Sequence, residues 1–203
     1  MHIVEGALSN SVVIGGGILA VAGVAYGLMR MDLDRIPQAG VLSAAFFIAS
    51  LIHVPIGFSS LHLILNGLIG LALGWTAFPA LFIALLLQAT FFGYGGPIVL
   101  GINTLNIALP AVIVWLLLHK KIISSPPKRA AIWGGVAGAI SIALTAIMVS
   151  ISLALTGEEF LVAAKLALLS HIPIMVVEAF VTGAAVFLLA RVKPDFFLQS
   201  EGG

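Results

Sequence analysis

AIWGGVAGAISIALTAIMVSISLAL, residues 131–155, runs without a single Asp, Glu, Lys or Arg. A helix needs only about 20 apolar residues to cross the hydrocarbon core of a bilayer. In lipid a helix also satisfies its own backbone hydrogen bonds, which an isolated strand cannot do. The stretch therefore reads as a transmembrane helix. Working outward from it, further apolar runs lie at 8–29, 39–56, 61–77, 78–93, 104–119 and 172–190. The third and fourth of the seven are short and divided around Phe78-Pro79, so they are expected to be tilted, partly buried or packed as a tight hairpin. Six spans is the competing count.

Composition supports this class. Hydrophobic residues make up 61% of the 203, charged residues 8%, and mean hydropathy is +1.22, which a water-soluble domain of this size would not tolerate. The expectation is an all-α integral membrane bundle of about seven transmembrane helices, one transmembrane domain over 1–203 with a short tail at 194–203. Cysteine is absent, which excludes disulfides, thiolate metal sites and iron–sulfur clusters. Net charge is only +1 and no basic stripe with interleaved aromatics occurs, so a nucleic-acid partner has no support. The sequence holds no nucleotide loop, catalytic serine arrangement or H-E-x-x-H pair, so the chain is not read as an enzyme.

Charge sets the expected orientation. Arg30 and Arg35 follow span one, Lys120, Lys121, Lys128 and Arg129 follow span five, and Arg191 and Lys193 follow span seven. Seven crossings place all three groups on one side, which the positive-inside rule assigns to the cytoplasm. Only Lys165 falls outside this set, and Glu158 and Glu159 fall on the outer face. A multi-pass protein of the plasma or inner membrane follows, with an external N-terminus and a cytoplasmic tail. Gly23 and Gly27, Gly70 and Gly74, and Gly134 and Gly138 form small-xxx-small pairs, which argue for a compact bundle or for docking on another membrane subunit.

The start of the chain carries candidate chemistry. The Met1 amine with the backbone amide and imidazole of His2 forms a compact nitrogen chelate, of the kind cobalt, nickel and copper ions favour. A secretory signal peptide is the rival reading, but its basic leading region and a prompt A-x-A-like cleavage site are missing. With the N-terminus outside, the turn from His53 to His62 and the segment before His171 open on the same mouth. Ser59 or Ser60 is expected to cap span three, placing His62 in its first turn. His53 is read as a ligand or as a donor orienting one. His119 lies beside Lys120 on the opposite side and is read as a helix C-terminal partner. Glu178, seven residues after His171 on one helix face, would pair with Lys165 or His171 or stay protonated, and an ionisable group inside a span suggests function. Gln88, Asn103 and Asn106 surround the break Gly93-Tyr94-Gly95-Gly96-Pro97, either lining a cavity or joining helices. Glu5 either offsets cation charge or favours the start of span one.

Taken together, the sequence resembles the CbiM/NikM family, the substrate-specific components of cobalt and nickel energy-coupling-factor (ECF) transporters. The resemblance covers essentially the whole chain. It rests on Met1-His2-Ile3-Val4-Glu5-Gly6, on Ser59-Ser60-Leu61-His62, on Gly93-Tyr94-Gly95-Gly96 followed by Leu100-Gly101-Ile102-Asn103 and Asn106, and on His171-Ile172-Pro173 with Glu178. Tyr94 stands where the family often has histidine. The resemblance implies a single substrate-binding membrane domain and a transported Co2+ or Ni2+ rather than a resident cofactor. It implies that the metal is held in a near-planar nitrogen set by the Met1 amine, the His2 backbone nitrogen and side chain, and the His62 side chain. Implied partners are a coupling transmembrane subunit, two cytoplasmic ATPase subunits and a small accessory membrane subunit. Two rival classes remain open on the residues alone: a redox subunit with haem held by pairs such as His53 and His171, and a structural or proton-translocating subunit centred on Glu178.

Overall fold

The computed structural model describes residues 3–56 and 59–198, with 53–56 and 59–61 described in their backbone. Among these residues seven α-helices and one small hairpin follow in order. They are α1 (Asn10–Met29), α2 (Ile36–Ala49), strands β1 (His53–Ile56) and β2 (Ser59–His62), α3 (Asn66–Leu73), α4 (Ala77–Phe92), α5 (Leu100–Ile123), α6 (Pro127–Ala154) and α7 (Leu161–Val192). The all-α membrane architecture holds. Among the described residues five stretches are long and apolar enough to cross a bilayer: Asn10–Met29, Asn66–Phe92, Leu100–Ile123, Pro127–Ala154 and Glu158–Val192.

The second of these is two arms rather than one rod. Asn66 donates to the Ile107 carbonyl, and Gly70 packs on Ala111, so α3 runs parallel to α5. By contrast, Phe78 near the start of α4 packs on Gly23 late in α1, and α4 ends at Phe91 and Phe92 against Phe47, late in α2. The chain therefore reverses at Gly74–Thr76, where Gly74 takes a positive φ of 55°. The short third and fourth runs are indeed a tight hairpin, but its turn precedes Phe78-Pro79.

Two sequence expectations fail here. The run 39–56 is not one helix, because α2 stops at Ala49 and Val54-Pro55 lies in β1. A residue before proline is pushed toward extended backbone, and valine favours strands, so this end leaves the helix. Nor does Ser59-Ser60 cap a helix holding His62. Those residues form β2, paired antiparallel with β1 so that His53 faces His62 in register, and α3 begins only at Asn66.

Helix directions gather the basic residues at one end. The Pro194–Phe197 turn after α7 is folded onto that end. The Phe196 carbonyl accepts from Arg35 (3.2 Å) and Gln38 (2.8 Å), and the Phe197 carbonyl accepts from His119 Nε2 (2.7 Å). His119 thus binds the tail rather than its own helix terminus, and Phe197 is buried. Lys165 and the Glu158–Phe160 turn stand at the opposite end.

Small residues set the packing. A Cβ on Gly70 would lie 2.1 Å from the Ala111 carbonyl oxygen, and one on Gly138 would lie 2.5 Å from that of Glu178. Gly23, Gly27 and Gly134 are likewise occupied by Phe78, Pro79 and Val186, so these motifs serve the bundle itself. Gly70→Ala is expected to lower stability by about 1–3 kcal/mol, because the obstacle is backbone that cannot rotate away. Thermal unfolding in detergent would check it, and an unchanged midpoint would count against the packing account.

Candidate metal-binding site

The N-terminal segment is fastened into the end of the bundle opposite the basic one. Ile3 is buried, and its backbone is read twice by one amide: Ile3 N–H donates to Asn103 Oδ1 (3.1 Å) and Asn103 Nδ2 donates to the Ile3 carbonyl (3.0 Å). Two residues on, Glu5 N–H donates to the Gly95 carbonyl (3.2 Å), and Glu5 Oε1 accepts from Ile98 N–H (2.9 Å). Gly96, at φ 118°, gives the Glu5 carboxylate its room, since a Cβ there would sit 2.4 Å from Oε1. Glu5 is thus a clasp onto the loop between α4 and α5, a role neither sequence reading of it included.

The second wall is α7. His171, Ile174, Glu178 and Thr182 recur at helical spacing and are all buried. Glu178 does not pair with Lys165 or His171: its Oε1 accepts the backbone N–H groups of Ile64 and of Leu65, the latter at 2.9 Å. Those donors open α3, where no side chain of the segment itself provides a cap. Leu65 there takes the left-handed conformation, φ 56°, unusual for a branched residue. The carboxylate fixes the backbone two residues beyond His62.

Helical and strand rises then bring three elements to one layer. Asn66 is level with Ile107, and Asn103 lies one turn, about 6 Å, farther from the basic end. His171 lies seven residues, about 10 Å, from Glu178 in the same direction. His62 is two residues ahead of Ile64, at most about 7 Å along an extended chain, in a strand that touches α7. Ile3, His62 and His171 therefore stand in one layer along the bundle, and all three are buried.

Both imidazoles are set in one tautomer. His62 Nδ1 lies 2.9 Å from the Leu63 carbonyl, and His171 Nδ1 contacts that of Ala167. A carbonyl only accepts, so each Nδ1 carries the hydrogen, and in the neutral ring Nε2 carries the lone pair. Metal-binding histidines use this arrangement: a backbone oxygen on one nitrogen orients the other.

Met1 and His2 lie outside the described residues, and so does the His53 side chain. Among the described residues no group of three or more His, Asp or Glu side chains is gathered to hold a metal ion. Asn106 joins helices through Ser152 Oγ (3.3 Å) rather than lining the layer. Asn66, bonded to Ile107 and to Thr145 Oγ1 (3.0 Å), was not singled out in the sequence, although an amide inside an apolar run is the signal of an interhelical bond. Asn103→Ala, which frees residue 3, is expected to weaken metal binding by about 10- to 100-fold. Asn103→Asp retains only the acceptor half of the pair and should fall between; titration calorimetry would rank the three.

An interrupted helical hairpin, a clasped N-terminal segment and a buried histidine layer define a multi-pass membrane protein of the transition-metal transporter fold. A crystal structure of a truncated transition metal transporter superposes with a TM-score of 0.75 at 28% identity, covering 94% of this chain and 99% of that one. The chain belongs to the CbiM family, the cobalt uptake substrate-specific transmembrane region, whose model matches residues 2–196. A metal transport protein of Haemophilus influenzae is 40% identical over 203 residues, 99% of this chain and 98% of that protein. The fused nickel transport protein NikMN of Rhodobacter capsulatus is 35% identical over 118 residues, 54% of this chain and 33% of that protein. The chain is a membrane component of cobalt or nickel transport.

Proposed function

We propose that this chain is the substrate-capture component of an ATP-driven ECF-type uptake transporter for Co2+ or Ni2+. The metal is held by the Met1 amine, the backbone nitrogen and imidazole of His2, and the imidazole of His62, with His53 as a further ligand or a donor orienting one. The basic end faces the cytoplasm, in keeping with the positive-inside rule, so the histidine layer opens outward. A coupling transmembrane subunit, two ATPase subunits and a small accessory membrane subunit complete the transporter. The observation that carries this reading is the double hydrogen bond from Asn103 to Ile3, which holds the residue next to the His2 position in the layer of His62.

Capture begins with a hydrated ion at the outer mouth and exchanges its waters for nitrogen. Amine and imidazole bind only when unprotonated, so affinity falls as pH drops through the imidazole and amine ranges. The direct test is metal analysis of purified protein, with Ni2+ and Co2+ competing at neutral and acid pH. Stoichiometric uptake of either ion, lost in acid, is expected; protein that binds neither ion would overturn the reading.

A further inference from the structure

We infer that His171 is an additional nitrogen ligand to the transported metal, through Nε2. This deepens the proposed function and rests on it. His171 is 3% exposed, and its Nε2 receives no hydrogen bond among the described residues. The Nδ1 hydrogen is committed to the Ala167 carbonyl within the same helix, so the ring has one tautomer and presents a bare lone pair to the interior. A buried polar atom without a partner is costly, by about 1–3 kcal/mol, and calls for an occupant. A protonated ring would be worse placed, burying a charge and a second unpaired N–H.

The occupant's chemistry follows from the nitrogen and its layer. An acceptor could take a hydrogen from water or a hydroxyl, yet His171 lies level with His62 and Ile3, and nitrogen in company with a second oriented imidazole suits a borderline divalent cation. Both rings use a backbone carbonyl on Nδ1. The other titratable side chain on this side of α7, Lys165, is exposed and supplies no partner. A near-planar nitrogen set leaves positions above and below the metal, and α7 would fill one of them.

The test uses the full-length protein loaded with Ni2+ alone and with Co2+ alone, in a His53→Ala background so that His53 adds no imidazole. X-ray absorption at the metal edge counts bound imidazoles, and equilibrium dialysis gives affinity. Three imidazoles are expected in this background, with one fewer after His171→Gln and an affinity loss of about 10- to 100-fold. Two imidazoles in the background protein would overturn the assignment, and that count decides the matter even if the glutamine variant does not fold. Acetylation of the Met1 amine, measured alongside, separates the two readings. If acetylation abolishes binding while His171→Gln changes neither count nor affinity, only the His171 assignment falls. If acetylation leaves binding intact, the amine chelate beneath it falls.

Discussion

Acetylating the Met1 amine is expected to reduce affinity for Ni2+ and Co2+ by at least about 100-fold, or roughly 2.7 kcal/mol. The reason is chemical. Amine, amide nitrogen and imidazole close fused small chelate rings, and an acetyl group takes the lone pair of the first donor. Ile3 cannot move to compensate, because Asn103 holds both its N–H and its carbonyl, and Glu5 is tied to Gly95 and Ile98. No other donor of the segment can therefore take the place of the amine. Calorimetry with both ions checks this, and binding that survived acetylation would remove the amine from the site.

Glu178→Ala carries the second large effect. Its Oε1 accepts two backbone hydrogens at the start of α3, and truncation leaves the buried Ile64 N–H and the half-buried Leu65 N–H without a partner. Each orphaned donor costs about 1–3 kcal/mol, so a loss of several kcal/mol is expected. Leu65 also loses the contact that holds its left-handed backbone. With the junction released, His62 loses its place and metal binding should fall with stability. Glu178→Gln keeps an acceptor oxygen at the same reach and should recover most of both. Unfolding in detergent and metal titration of the two variants decide this; an alanine variant as stable as the parent would show that the carboxylate does not hold the junction.

How much of this was legible in the sequence depended on the kind of signal. Long apolar runs marked the helices well: 131–155 became Pro127–Ala154, and 104–119 lies inside Leu100–Ile123. Apolarity alone does not distinguish a helix from an extended segment buried in protein, so 39–56 reads as a span although it ends in β1, and 61–77 although it opens on the end of β2. Val54-Pro55 carried a warning in its backbone preference. The strand before α3 did not, because the start of α3 is capped by Glu178, 113 positions from Leu65. No local pattern reveals such a partner. The histidines and the asparagines near the α4–α5 break were visible as candidates, but that Asn103 reads the backbone of Ile3 emerges only when α5 and the N-terminus meet. Glu178 was recognisable as an expensive group inside a span, and its partner was not.

The eight-residue α3 also bears on how the protein is made. At about 1.5 Å per residue it covers about 12 Å, well short of a hydrocarbon core of about 30 Å. A nascent segment of that length has little tendency to leave the translocon for lipid unaided, and its extended lead-in would expose unpaired backbone there. Insertion must therefore proceed with α4 as a paired unit, and settle only once α5 and α7 have been synthesised to receive Asn66 and supply Glu178. Biogenesis of this membrane protein is thus post-insertional at its centre, and the layer of Ile3, His62 and His171 is among the last parts to mature.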